Sequence, residues 1–460
     1  MSPVVPTLIQ CVAALTDKSR GGRLGMHIQL FAMTRSFIVT MAVSALAAVG
    51  AAATPTVTFH KNVLPILQNR CQGCHRPGEV APMSLLTYQE ARPWAKAIRQ
   101  AVVTRTMPPW FADPHYAKFS NDRSLTQPEI DALVAWVDAG APEGDPKDAP
   151  APRKFVEGWT AGTPDLVVEA PVAFNVPEKG QIPYQWVIVP TNLKEDKWVV
   201  SAEVRPSDRS VVHHIVVAIR ERGNQWMADK KPGEYFPGGL DLENGANLAG
   251  SPRTGAGTYF AQYEPGSVLR PADPHFATLL KAGSDIVFQI HYTPNGKATS
   301  DRTRIGFIFS DTPPDKRYVS LNPSNPTFVI PPGDPNYKVE ASATMNFDGE
   351  LTSIYPHAHL RAKAWELRVI YPTGEEETLL KSKYDFNWQL TYFLEKPKFL
   401  PKGTKIVTAA WYDNSAANRY NPDPTKEVRW GEQSSDEMQI CTATFVVDVN
   451  KKIEMTRLPK

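Results

Sequence analysis

Residues 71–75 of the chain read CQGCH. Two thiols on one turn can each form a thioether to a vinyl group of haem, and the adjoining histidine then meets the iron from its proximal side. A bare CxxC also suits a zinc half-site or a thiol redox pair. The histidine that follows, and the absence of a second CxxC in the chain, favour covalent haem c on Cys71, Cys74 and His75. The second iron ligand has to come from further along. Met83 follows His75 closely, which leaves little chain to round the haem edge. Met107 lies beyond a helical stretch, in TRTMPPW, where two prolines stiffen the backbone. Met107 is therefore the expected distal ligand, with Met83 and His115 as alternatives. Ordinary core packing is the other use for Met83.

The histidines form a second set. Of ten in the chain, five fall in three small groups: His213 with His214, His291, and His357 with His359. Imidazole suits copper, zinc or iron. Residues two apart on a strand face the same side, so His357 and His359 in YPHAHLR can grip one ion together. His213 and His214 are adjacent and would point to opposite faces of an ideal strand; they can share an ion only if the strand bulges there. His291 ends the strand-like DIVFQIHY and can join the pair from a neighbouring strand. Spacing alone leaves open that these are surface histidines or satisfied core ones. His275, in ADPHFATLL, reads as a bystander on a loop.

The elements that must position these residues divide the chain. Residues 57–70, 87–105 and 125–139 carry helical periodicity. The last has Thr126 as N-cap, Glu129 three residues on, and Gly140 as its stop. Residues 141–156, rich in proline and charge, read as a linker, or else as a surface loop of the helical part. From about residue 163 short strand-like segments follow, among them QWVIVP, HHIVVAI, RIGFIF and KIVTAAWY, punctuated by proline and glycine. Nearly 300 residues of short strands suit two β-sandwiches, with the break near 310–321. The expected architecture is multidomain: a leader at 1–53, a small all-α domain at 54–146, a linker at 147–163, then two all-β sandwiches at 164–315 and 316–460.

From Met33 the leader reads MTRSFIVTMAVSALAAVGAAA, a basic start, an apolar run and small residues, as in a cleaved secretory signal peptide. The run is short for a membrane span, so no stable membrane insertion is expected and the mature protein is placed in the periplasm or outside the cell. Removing residues 1–53 takes away Lys18, Arg20, Arg23 and Arg35 against Asp17, leaving the chain near neutrality with no basic cluster for nucleic acid. Cys11 goes with the leader and Cys441 stands alone, so there is no disulfide framework.

Two resemblances follow from these motifs. The helices around CxxCH resemble a small class I cytochrome c over about residues 56–146. The segments VVHHIVV, GSDIVFQIHYTPNG, YPHAHL and WYDNSAANRYNPDP…VRWGEQSSDEM, taken in that order, resemble the copper type II, ascorbate-dependent monooxygenases over about residues 165–455. That family includes the peptidylglycine α-hydroxylating and dopamine β-hydroxylating enzymes. The resemblance implies two jelly-roll-like sandwiches, each with one copper. The electron-transfer copper would be held by His213, His214 and His291, and the oxygen-activating copper by His357, His359 and Met438. A thioether is a soft ligand that favours reduced copper. The implied reaction hydroxylates a C–H bond of a small organic substrate with O2. An external donor, another cytochrome or an ascorbate-like reductant, would supply electrons through the haem. A copper-haem electron carrier is the alternative. The sequence departs from the family in two ways. Secreted animal members carry several disulfides. Peptide-amidating members place an arginine where Tyr355 stands and a tyrosine where Thr442 stands. A glycine-extended peptide is thus a poor substrate expectation, and Tyr355 is a candidate for lining a more neutral or aromatic pocket.

Overall fold

The computed structural model describes residues 56–238, 258–266, 269, 273–431 and 433–453. The leader and Cys11 lie outside the described residues. Helices are few: α1 (Leu64–Arg70), α2 (Tyr88–Ala91), α3 (Ala95–Val103) and α4 (Gln127–Asp138). The expected helix at 57–70 begins as a wider turn, Phe59–Val63, before α1. The stretch 87–105 is not one helix. Pro93 has no amide hydrogen to give, and Arg92–Trp94 tightens into a 3-10 turn between α2 and α3. At α4 the capping box forms as expected: Glu129 Oε2 accepts from the Thr126 amide at 2.7 Å, and Thr126 Oγ1 accepts from the Glu129 amide. Gly140 follows with φ +85°, a conformation costly for any side chain. Trp136, Leu133, Leu67 and Phe59 are fully buried in the core of this helical segment.

The proline-rich stretch after α4 lies on the helices. Its carbonyls at Pro142 and Glu143 accept from the amides of Phe59 and His60, and Gln68 Nε2 donates to Ala151 O at 3.0 Å. Residues 107–123 leave the helices altogether and run along the far β-structure. There Asp113 N donates to Lys381 O at 2.8 Å, and Ser120 N donates to Phe393 O at 2.8 Å.

The rest is β. The first half holds β1 (Leu166–Glu169), β2 (Phe174–Val176), β3 (Gln185–Pro190), β4 (Lys197–Arg205), β5 (Val212–Arg220), β6 (Phe236–Pro237), β7 (Thr258–Tyr263), β8 (Phe276–Leu280), β9 (Asp285–Tyr292), β10 (Thr299–Asp301) and β11 (Arg304–Ser310). The second half holds β12 (Lys316–Leu321), β13 (Val329–Ile330), β14 (Tyr337–Thr344), β15 (Gly349–His357), β16 (Ala362–Ile370), β17 (Glu376–Lys383), β18 (Tyr392–Leu400), β19 (Lys405–Tyr412), β20 (Val428–Arg429) and β21 (Ile440–Asp448).

A five-stranded sheet, β6-β3-β9-β5-β7, belongs to the first half, and a four-stranded sheet, β14-β19-β16-β17, to the second. Between them the halves share one eight-stranded sheet, β1-β11-β4-β8-β12-β21-β15-β18, joined where β8 and β12 run parallel. Each half keeps its own apolar interior. Ile215, Phe288, Ile290 and Phe307 are buried in the first; Leu351, Trp365, Ile406 and Phe445 in the second. Alternating strands with one apolar face meet across each sandwich, and burial of these large side chains is the main stabilising contribution.

Candidate metal centre

The strand that carries VHHIVV solves the problem posed by adjacent histidines. The pairing of β5 with β9 sets Val212 opposite Tyr292 and His214 opposite His291, with a register shift between Val212 and His214. His213 occupies the irregularity, so both rings turn to the same side. Their ring centres lie 5.3 Å apart, and each is 5.1 Å from that of His291. Ligand atoms of His213, His214 and His291 all fall within 4.8 Å of one another. His213 Nε2 and His291 Nδ1 are buried with no hydrogen-bond partner. Burial pushes the His213 imidazole down to about 4 and holds His214 and His291 well below the ordinary histidine value. His213 Nδ1 and His214 Nδ1 lie 3.0 Å apart; three neutral imidazoles this close, with two buried nitrogens left without partners, suit a transition-metal ion.

The HxH pair stands at the end of β15. The rings of His357 and His359 are 5.4 Å apart. His357 Nδ1 is 2.6 Å from Gln389 Oε1, and His359 Nδ1 is 3.4 Å from Asp436 O. Both oxygens only accept, so both rings carry the proton on Nδ1 and keep a lone pair on Nε2. His359 Nε2 is buried without a partner. Met438 is buried at 3 % exposure, and its backbone is tied to that of His359. Glu437 Oε2 accepts from the His359 amide at 2.8 Å and from the Met438 amide at 3.3 Å, while Oε1 accepts from the Arg361 amide at 2.6 Å. Tyr412 donates to Met438 O at 2.6 Å.

The two histidine sets face each other across the seam between the sandwiches: the rings of His214 and His357 are 6.1 Å apart. The loop between β17 and β18 crosses this seam. Phe386 stacks on His213 at 4.4 Å and meets His359 edge-on at 6.0 Å. Tyr384 brackets Ala358, accepting from its amide at 3.0 Å and donating to its carbonyl at 2.6 Å.

Tyr355 sits beside the pair, its hydroxyl 3.2 Å from Gln389 Oε1 and 3.5 Å from His357 Nδ1. Its cross-strand partner is Thr442. Glu264, from the end of β7, reaches Tyr355 and Gln262 with hydrogen bonds while buried at 2 % exposure. Burial pushes its carboxyl up to about 8, against those hydrogen bonds. The folded chain therefore holds this proton up to about pH 8, whereas the unfolded chain releases it near 4.5. Stability from this group is accordingly undiminished below pH 4.5 and lost progressively as pH rises to about 8. Replacing Glu264 by glutamine should remove that slope. Urea midpoints of variant and parent at pH 5 and pH 9 check it: the variant should gain relative stability at the higher pH, and an unchanged difference refutes it. Glu437, also pushed up to about 8 by burial, slopes the same way in both proteins and cancels.

The CxxCH residues lie on the loop after α1. Cys74 N donates to Cys71 O at 3.1 Å and His75 N to Cys71 O at 3.0 Å, which winds the motif into one turn. Both thiols are unpaired. Burial pushes the Cys71 thiol up to about 12 and raises that of Cys74, which favours the thiol over the thiolate at both. His75 Nδ1 is 3.3 Å from Met83 O, which orients the ring and leaves the lone pair on Nε2. Two protonated thiols and an oriented imidazole match the donor set that thioether attachment and axial ligation require. Met83 packs against the helical core, as its simpler use implies. Met107 is half-buried where the chain leaves α3. His115 and His275 are exposed and pair with Asp113 and Asp315, and Cys441 is a buried core thiol.

Glu437, Gln389, Phe386 and Glu264 were not anticipated. Only Glu437 left a signal, its place directly before Met438.

No family model matches the chain, and no curated protein matches it. Among solved structures the chain is similar to the major capsid protein P2 from bacteriophage PM2, at 12% identity over 62% of this chain and 98% of that one, with a TM-score of 0.27. It is also similar to allantoicase, at 8% identity over 52% and 81% of the two chains, with a TM-score of 0.16. A third likeness is to the infectious bursal disease virus VP2 subviral particle, at 7% identity over 64% and 74%, with a TM-score of 0.19. Likenesses this distant carry no argument.

Proposed function

We propose that the chain is an exported copper monooxygenase of the copper type II, ascorbate-dependent kind, with a covalent haem c on its helical segment. The observation that carries this reading is the convergence of five imidazoles from both sandwiches, two of them buried and three half-buried, with a buried, unpartnered ring nitrogen on each of His213, His291 and His359. His213, His214 and His291 would hold one copper; His357, His359 and Met438 would hold the other. Copper at these sites supplies one-electron redox chemistry with dioxygen. The chain does the rest. Gln389 and the Asp436 carbonyl fix which nitrogen each ring presents. Phe386 covers one face of the His213 ring. Tyr355 offers a hydroxyl beside His357 with which to orient a small organic substrate. On the helical segment Cys71, Cys74 and His75 would hold the haem, with Met107 as the second axial ligand. An external one-electron donor would reduce it, in the periplasm or outside the cell. Among the described residues, no helix is long and apolar enough to cross a membrane.

Iron and copper counted per chain test this, on haem-loaded protein dialysed against excess copper, beside a His357→Ala variant. One iron and two coppers, with one copper lost in the variant, supports the reading and justifies a substrate screen by oxygen uptake. One iron and at most one copper, unchanged in the variant, overturns it and leaves a copper-haem electron carrier.

A further inference from the structure

The loop between β17 and β18 does more than cover the seam. Its turn, closed by Trp388 N donating to Asp385 O at 2.9 Å, touches three separate parts of the chain. Phe386 stacks on His213. Gln389 holds His357. Trp388 packs onto Gly266, where a Cβ would stand 2.9 Å from its ring. Gly266 has φ +72°, so the position is doubly reserved for glycine. Arg123 arrives at the same spot from the helical side: its Nη2 donates to Gly266 O at 2.9 Å, and its Nη1 would lie 3.6 Å from the same Cβ. Arg123 is also the charge that most opposes the effect of burial on Cys74. The CxxCH loop is anchored nearby as well, where Glu79 binds both Arg76 and Arg209 of the first sandwich. Arg209 in turn lies over the Tyr263 ring, next to Glu264. Arg123, Gly266, Trp388 and, along the turn, Phe386 and His213 thus follow one another toward the first histidine set, while the CxxCH loop is held to the same sandwich through Glu79 and Arg209.

Resting on the function proposed above, we infer that the turn Asp385–Trp388 is the electron bridge between haem at Cys71/Cys74 and the His213/His214/His291 centre, entered at Trp388 and left at Phe386. In the step it serves, one electron leaves the ferrous haem iron and reduces one cupric ion to the cuprous state. An external one-electron donor then restores the haem. No bond forms or breaks, so what matters is how short the gaps are: Trp388 packs on Gly266 at one end, Phe386 stacks on His213 at the other, and the backbone of one turn joins them. Trp388 is a positioning residue here: it supports the path and touches neither metal ligand set.

The test uses full-length protein loaded with haem and copper, under argon, with Trp388→Leu and Trp388→Phe beside the parent. A photogenerated flavin radical delivers one electron, and reoxidation of the haem by copper is followed by its absorbance. Haem midpoint potential and copper content are measured on the same samples. The expected result is that leucine slows haem reoxidation by an order of magnitude or more while phenylalanine largely preserves the rate, with potential and copper content unmoved. Equal rates in all three proteins, or equal slowing by both substitutions, overturns the bridge while leaving the monooxygenase reading intact. A parent whose copper never reoxidises its haem overturns both.

Discussion

Replacing Glu437 by alanine should destabilise the chain by about 4 kcal/mol or more and release the copper expected at His357, His359 and Met438. The carboxyl group is fully buried, and three backbone amides donate to it, those of His359, Arg361 and Met438. Alanine strands all three in a water-free place, at roughly 1–3 kcal/mol each before relaxation. It also frees the His359 and Met438 backbones to drift, and a metal site tolerates little drift. Glutamine keeps one acceptor oxygen, so its cost should be smaller, about 1–2 kcal/mol. Urea unfolding and a copper count separate the two variants. An alanine variant as stable as the parent and still fully loaded with copper would refute the role assigned to this carboxyl group.

The second large effect concerns the other histidine set. Asp301 is fully buried and accepts five hydrogen bonds. Oδ1 takes the amides of Ser207 and Asp208 with the Ser207 hydroxyl, and Oδ2 takes the hydroxyls of Tyr292 and Thr303. Tyr292 follows His291 and lies opposite Val212 at the edge of the irregularity that turns His213 inward. Asp301 thereby pins the loop entering β5 and the strand end beside His291. Alanine there should cost about 3–5 kcal/mol. Asparagine should cost about 1–2 kcal/mol, since its oxygen can keep the two amides while its NH2 donates to hydroxyls free to reverse their sense. Thermal unfolding with and without copper provides the measurement. Asparagine matching alanine would mean that charge, not acceptor geometry, is what the site requires.

Local signals in the chain gave the histidines, the helix cap and the need for a bulge at His213. Each depends on spacing within a few residues: period two for His357 and His359, Thr126 with Glu129, and adjacency for the HH pair. The break at Pro93 was equally local and was outweighed by periodicity on either side of it. Contacts between remote segments left no such trace. Gln389 meets His357, and Phe386 meets His213, only because a loop with no period of its own is carried across the seam. Glu264 meets Tyr355 because β7 and β15 belong to different sandwiches brought edge to edge. The run of residues 107–123 along β17 and β18 was invisible for the same reason: its hydrogen bonds are made by backbone, which any sequence supplies.

The parallel pairing of β8 with β12 has a mechanical meaning. Two lobes tethered by a flexible segment can swing, and the gap between their ligands is then a matter of domain dynamics. Here the lobes are panels of one continuous pleated surface. Widening the cleft between the histidine sets would require bending that surface or unzipping its central hydrogen bonds, so the spacing between the sets is a built-in dimension, like the span of an arch.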